Sequence, residues 1–240
     1  RMVDWTLTSA GRRALNTLSE GAIDMLKWNP AQPTRLLVVD RDTGAVGSEP
    51  TCEPTFCFHH VNAFRDGETI VLDLIEFPDG DIVGALSMAE LDGEGFPAVP
   101  DGRLMRYRID PATDTIERTQ LYSGGMELPR VPRQTISRNH RYAYGQATDR
   151  EGATGLVKVD CETATTQEWW EQSVYVEEPI PIQRPDGDAV DDGVVVATAL
   201  DTAREQTRLL VFDAETLTLQ GQAFLPHAEP FGFHGRFFAE

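Results

Sequence analysis

Leu156 to Trp169 reads LVKVDCETATTQEW, an apolar strand that stops at an Asp, a short polar turn, and a second strand running back. The same form occurs three more times, as LLVVDRDTGAV (Leu36 to Val46), RYRIDPATDTIER (Arg106 to Arg118) and LLVFDAETLTLQG (Leu209 to Gly221). An Asp at a strand end has a physical use, since its carboxylate can accept hydrogen bonds from the turn backbone just ahead of it. The marker residues Asp40, Asp110, Asp160 and Asp213 fall 70, 50 and 53 positions apart. A recurring unit of that size in a strand-rich chain suggests propeller blades, whose usual length is ~40–50 residues.

Two further strands fit into each interval. Phe56 to Phe64 precedes Thr69 to Phe77, Glu127 to Val131 precedes Arg141 to Ala147, and Val176 to Gln183 precedes Gly193 to Leu200. Each blade then runs inner strand, second strand, marker strand, outer strand, which is a four-stranded meander. The longest interval also contains Ser87 to Gly102, rich in Gly, Pro and acidic residues, which reads as a loop. Thr8 to Trp28, with Leu15, Leu18, Ile23 and Leu26 at mixed spacing and Gly21 interrupting, reads as one or two short helices. The expected fold class is all-β, a partial β-propeller of four-stranded antiparallel blades with a short helical N-terminal stretch.

Composition narrows the function classes. The chain has 240 residues, 40% hydrophobic and 25% charged, the balance of a soluble globular protein. No apolar run approaches the ~20 residues a membrane-spanning helix needs, which leaves peripheral membrane contact open. A net charge of −18 argues against nucleic acid as a partner, because a phosphate backbone needs clustered basic charge. Lys27 and Lys158 are the only lysines. Such an acidic, lysine-poor surface suits a high-salt, halophilic setting, where salt screens its self-repulsion. Cys52, Cys57 and Cys161 lack zinc-ligand spacing and do not form an even disulfide set, so a reducing, cytoplasmic setting is expected.

The chemistry is concentrated in TFCFHHVNAF, Thr55 to Phe64. On a strand, neighbouring side chains point to opposite faces, so His59 and His60 cannot both serve one site. Near the chain's end, FGFHG repeats a histidine after an aromatic residue, at His234. In a propeller the first strand of each blade lies nearest the axis. That strand carries His59 in one blade, Glu127 in the next and Glu178 in the third, while His234 would open the innermost position of a further blade. Histidines and carboxylates distant in sequence would then converge. Taken singly, each Glu reads equally well as a surface carboxylate at a loop start.

In order and spacing, TFCFHHVNAF, MELPRVP, HRYAYG, EEPIPIQRPDGDAVDDGVVV and LPHAEPFGFHG resemble the motifs of carotenoid oxygenases, also called carotenoid cleavage dioxygenases. The resemblance runs from about Leu26 to the end. It implies a seven-bladed propeller with a mononuclear non-haem Fe(II) on its axis, held by four histidines with glutamates hydrogen-bonded to some of them. His59 stands at the histidine of the family's FHxxNA pattern and His234 at that of its C-terminal FHG. Glu178 matches the glutamate of the E-P-x-F pattern, and Glu127 the one in the preceding blade. His60, His140 and His227 match no ligand position. Pro181 replaces the usual aromatic and Leu128 the commoner Phe, departures that bear on the pocket wall and so on the substrate.

The family's other two histidines lie upstream of FHxxNA, and no histidine precedes Cys52 here. The resemblance therefore implies that residues 1–240 are the C-terminal half of one propeller domain. By itself this half is expected to be inactive, and its unpaired blade edges invite aggregation. The implied activity is addition of O₂ across a double bond of a carotenoid or apocarotenoid, giving two carbonyl products, so the partners would be O₂ and an apolar polyene. Cleavage of stilbene-type compounds, isomerisation, and a non-catalytic propeller scaffold remain open alternatives, as does the oligomeric state. Phe58, Phe231 and Phe233 suit an apolar tunnel, with a packed core the plainer role for most of them.

Overall fold

The structure, a computed structural model, describes residues 27–87, 90 and 99–238. The expected helical stretch before Trp28 and most of the loop from Ser87 to Gly102 lie outside the described residues.

The marker hairpins form with one shared turn. Asp40 Oδ1 accepts hydrogen bonds from the backbone N–H groups of Thr43 (2.8 Å) and Asp42 (3.2 Å), and Asp213 Oδ1 does the same with Thr216 (2.8 Å) and Glu215 (3.1 Å). Asp160 caps Glu162 and Thr163, and Asp110 caps Ala112. Thr43 holds the Asp40 carboxyl below its ordinary range, and the Thr216 backbone does so for Asp213. The residue four positions after each Asp has a positive φ: Gly44 (72°), Asp114 (53°), Ala164 (56°) and Leu217 (55°). Each loop thus has four residues and is closed by one in the left-handed conformation, among the common ways to connect a hairpin. Only Gly44 adopts it without steric cost. Asp201 and Glu205 (φ 53°) repeat the device in a fifth turn that the sequence did not advertise.

Four short strands come first, β1 (Thr34–Arg35) paired with β4 (Thr51–Cys52), and β2 (Val38–Val39) with β3 (Val46–Ser48). The next sheet runs β5 (His60–Asp66), β6 (Thr69–Glu76), β7 (Arg103–Asp110), β8 (Thr115–Gln120), in spatial as in chain order. A short helix, α1 (Asp81–Ala85), follows β6. The second four-stranded sheet is β9 (Met126–Arg130), β10 (Tyr142–Ala147), β11 (Gly155–Asp160), β12 (Thr166–Trp170). In the third, β13 (Val174–Val176) and β14 (Ile180–Gln183) both pair with β15 (Gly193–Asp201), which is followed by β16 (Gln206–Asp213) and β17 (Leu219–Phe224). All pairings are antiparallel. The fold is all-β, built from four-stranded propeller-type blades.

Three expectations change in detail. The strand expected from Phe56 begins at His60, with only an isolated bridge from Phe56 to Phe77 before it. The strand expected over Val176 to Gln183 is broken at Glu177-Glu178-Pro179, where Pro179 lacks the N–H a ladder needs. Residues 225–238 form no strand, so His234 lies beyond the last strand, β17.

The described residues divide into two compact units, the first drawn from 27–57, 76–87, 90, 99–100 and 109–116, the second from 58–75, 101–108 and 117–238. In the first, Ser48 donates to Asp114 Oδ1 (2.6 Å) and Thr34 to the Thr55 carbonyl (3.1 Å). The second holds the main core, where Val195, Ala197 and Ala199 on β15 meet Leu210 and Phe212 on β16 and Leu156 on β11. The hydroxyl of buried Tyr144 reaches the Ala214 carbonyl (2.9 Å). Lys158 lies inside, its Nζ donating to Asp191 (2.7 Å) and the Glu215 carbonyl (2.8 Å). Among the described residues no helix is long and apolar enough to cross a membrane.

Candidate metal centre

Within the second unit the structure brings together four residues that the sequence singled out. His59 lies just before β5, and its carbonyl accepts from Ile75 N–H (3.0 Å) on β6. Past it β5 carries an extra residue, since His60 pairs with Leu74 but Asn62 with Asp73. A bulge of this kind re-aims side chains beside it. His59 points into the site, while His60 is exposed elsewhere. Asn62, buried, holds the loop after β9, donating to the Thr135 (3.0 Å) and Arg138 (2.9 Å) carbonyls and accepting from Ser137 N–H (2.9 Å).

A second bulge shapes β9. Glu127 pairs with Gln146 and Arg130 with Tyr144, so three steps on β9 match two on β10. Leu128, with φ 48°, makes the kink. Strand alternation would send residues three apart to opposite faces. The extra residue puts Glu127 and Arg130 on the same face.

The imidazoles face one another. His59 Nε2 and His234 Nε2 are 3.4 Å apart, with the rings nearly perpendicular at 85°. Behind each ring stands a carboxylate, Glu127 Oε2 at 2.6 Å from His59 Nδ1 and Glu178 Oε1 at 2.9 Å from His234 Nδ1. The Leu128 N–H also donates to Glu127 Oε2 (2.6 Å). Glu178, 6% exposed, is met by the Arg130 guanidinium at both oxygens, 2.8 Å to Oε1 and 2.9 Å to Oε2, and by Gly235 N–H (2.7 Å). Burial pushes the Glu178 carboxyl up, but Arg130, the Gly235 amide and His234 together hold it below its ordinary range. The hydrogen bond to Glu127 raises the His59 pKa.

These bonds settle the tautomers. A carboxylate only accepts, so each Nδ1 carries a proton, and when the ring is neutral its lone pair lies at Nε2. Two lone pairs 3.4 Å apart repel unless a proton or a cation lies between them. Imidazole nitrogens bonded to one ion at about 2.0–2.1 Å lie roughly 3.0–3.4 Å apart at ordinary coordination angles. The pair fits a metal, and imidazole donors suit iron among others. Carboxylates behind the rings fix orientation and raise ligand basicity.

Arg130 and Glu177 were not anticipated. The only sequence signal for Arg130 was its place in MELPRVP, and the bulge that turns it inward is a matter of pairing register. Phe58, Phe231 and Phe233 are 39%, 48% and 70% exposed, so none of them is packed inside residues 1–240. Phe233 flanks both imidazoles, with ring centroids 4.6 Å from His234 and 6.2 Å from His59.

His140, which matched no motif position, is buried in another cluster with Asp73 and Cys161, their ligating atoms within 4.8 Å. Asp73 is bound through both oxygens by Arg106 (2.8 and 2.7 Å). Asn62 Nδ2 lies 3.1 Å from His140 Nδ1, and His140 Nε2 lies 3.0 Å from Asp73 Oδ2 but poorly aligned with it. Burial pushes the Cys161 thiol up to about 12, so it stays protonated. A guanidinium already balances the carboxylate and occupies both of its oxygens. The cluster is built as an ion pair.

The family model for retinal pigment epithelial membrane protein matches residues 2–239. Apocarotenoid-15,15'-oxygenase of Synechocystis is 31% identical over 226 residues, 90% of this chain and 45% of that protein. A carotenoid cleavage oxygenase of Mycobacterium tuberculosis is 29% identical, with 92% of this chain and 46% of that protein covered. Among solved structures, cobalt-substituted Synechocystis ACO superposes with a TM-score of 0.81 at 28% identity, covering 97% of this chain and 49% of that one. The chain thus spans about half the length of the relatives it matches.

Proposed function

We propose, for a chain that belongs to the retinal pigment epithelial membrane protein family of carotenoid oxygenases, that the whole protein is a non-haem Fe(II) dioxygenase cleaving a double bond of a carotenoid or apocarotenoid. Residues 1–240 are its C-terminal portion in this reading, and two further histidines come from the rest of the domain. The observation that carries it is the convergence of two imidazoles, with Nε2 atoms 3.4 Å apart and a carboxylate behind each ring.

His59 and His234 would hold the ion. Fe(II) would supply O₂ activation for addition across the double bond, leaving two carbonyl products. Glu127 and Glu178 retain the Nδ1 protons, so both nitrogens facing the ion stay free to donate. The donors are neutral, and the positive charge of the ion is left undiminished. Arg130 balances Glu178, which would otherwise be a buried, uncompensated anion. Phe58 and Phe233 give the imidazoles an apolar flank along which a polyene can lie.

The test is anaerobic Fe(II) reconstitution of the full-length protein, followed by turnover of a carotenoid and an apocarotenoid under ¹⁸O₂. The expected result is one iron per chain and ¹⁸O in the aldehyde or ketone products. Bound iron with no cleavage of either polyene would reject the substrate class. Failure to take up iron would reject the centre.

A further inference from the structure

We propose that Arg130 is the positioning residue of this centre, a clamp that fixes His234 before any ion arrives. The proposal rests on the metal reading above and concerns how a segment without secondary structure can present a ligand. Leu225 and His227 pair with Thr207, and the Glu229 N–H donates to the Thr207 hydroxyl (2.8 Å). Beyond Glu229, two backbone N–H groups reach two adjacent carboxylates, Gly232 to Glu177 and Gly235 to Glu178. Glu177 is itself steadied by the Thr198 hydroxyl on β15.

Arg130 closes this arrangement. Its Nε and Nη2 take the two oxygens of Glu178 in a fork, which sets the carboxylate plane. Nη2 also donates to the Gly235 carbonyl (3.1 Å). His234 is therefore bracketed, its ring on Glu178 Oε1, the next N–H on Glu178 Oε2, and the next C=O on Arg130. A Cβ on Gly235 would lie 2.9 Å from Ile180 Cδ1, and one on Gly232 would lie 3.1 Å from Glu177 Oε2. The left-handed kink at Leu128 gives Arg130 its aim. Lysine keeps the charge but has no fork, so it cannot replace this contact.

The experiment uses full-length protein carrying Arg130→Lys or Arg130→Met, with His59→Ala as a control. Backbone hydrogen exchange is measured on the metal-free proteins, and loss of Co(II) to a chelator on the loaded ones. Both Arg130 variants should exchange the Gly235 amide about tenfold faster and release metal about tenfold faster, the low end for outer-shell partners. Exchange in β15 and β16 should not change. Arg130→Lys matching the unaltered protein in both readouts would overturn the proposal. So would faster exchange spread across β9 to β12, which would mark general loosening. If neither the unaltered protein nor His59→Ala takes up Co(II), the metal reading fails, while Gly235 exchange still decides the clamp.

Discussion

Two constellations in the second unit use the same three residue types to opposite ends. At the candidate metal centre, His59 and His234 each spend Nδ1 on a carboxylate and turn Nε2 toward the other, with Arg130 behind one carboxylate. In the buried cluster, His140 has Asn62 at one ring nitrogen and Asp73 at the other, and Arg106 neutralises that carboxylate directly. Histidine, carboxylate and arginine therefore do not define a binding site. The difference is what the second ring nitrogen meets: another imidazole at the candidate centre, and the Asn62 amide in the buried cluster.

The largest expected effect breaks the first region alone. His59→Ala or His234→Ala in the full-length protein should abolish iron uptake and turnover, a loss beyond the roughly 10–100-fold of outer-shell changes, while the melting temperature of the metal-free protein barely moves. Asp73→Asn should do the reverse. It strands a part-buried guanidinium at a cost of up to about 3–5 kcal/mol, read from chemical denaturation, with iron per folded chain unchanged. If Asp73→Asn lowered iron content instead, the division of labour would be wrong.

A subtler change keeps the site's shape. Glu127→Gln retains an acceptor for the Leu128 N–H but removes the charge behind His59, and metal affinity by titration should fall roughly 10–100-fold. The smallest effect is in pH. Burial raises the Asp73 carboxyl, yet Arg106 and His140 hold it below its ordinary value. The resulting stability is complete above the unfolded value near about pH 4 and is lost as pH falls through the lower folded value. Asp73→Asn should flatten that acid limb; an unchanged limb would show that Asp73 does not set it.

Much of the fold was legible because the turns are chemically marked. Asp40, Asp110, Asp160 and Asp213 each cap their own turn, and a capping carboxylate can be seen in one sequence. The closeness of His59, Glu127, Glu178 and His234 followed from blade order. Their role as ligands is the proposal. What stayed hidden depends on partners. Bulges at Val61 and Leu128 are properties of register between two strands, and strict alternation would put Arg130 on the face opposite Glu127. Nothing local marks His140 as the neighbour of Asp73, 67 positions away. The exposed aromatic residues were misjudged because hydrophobicity reports a tendency to be covered and cannot say by what.

Anomalous diffraction from crystals of the full-length protein loaded anaerobically with Fe(II) bears most directly on the difference between the two constellations. The account predicts a single iron peak about 2.0–2.2 Å from both His59 Nε2 and His234 Nε2, with no density among Asp73, His140 and Cys161. A peak in the buried cluster, or one that touches only one of the two facing imidazoles, would contradict it.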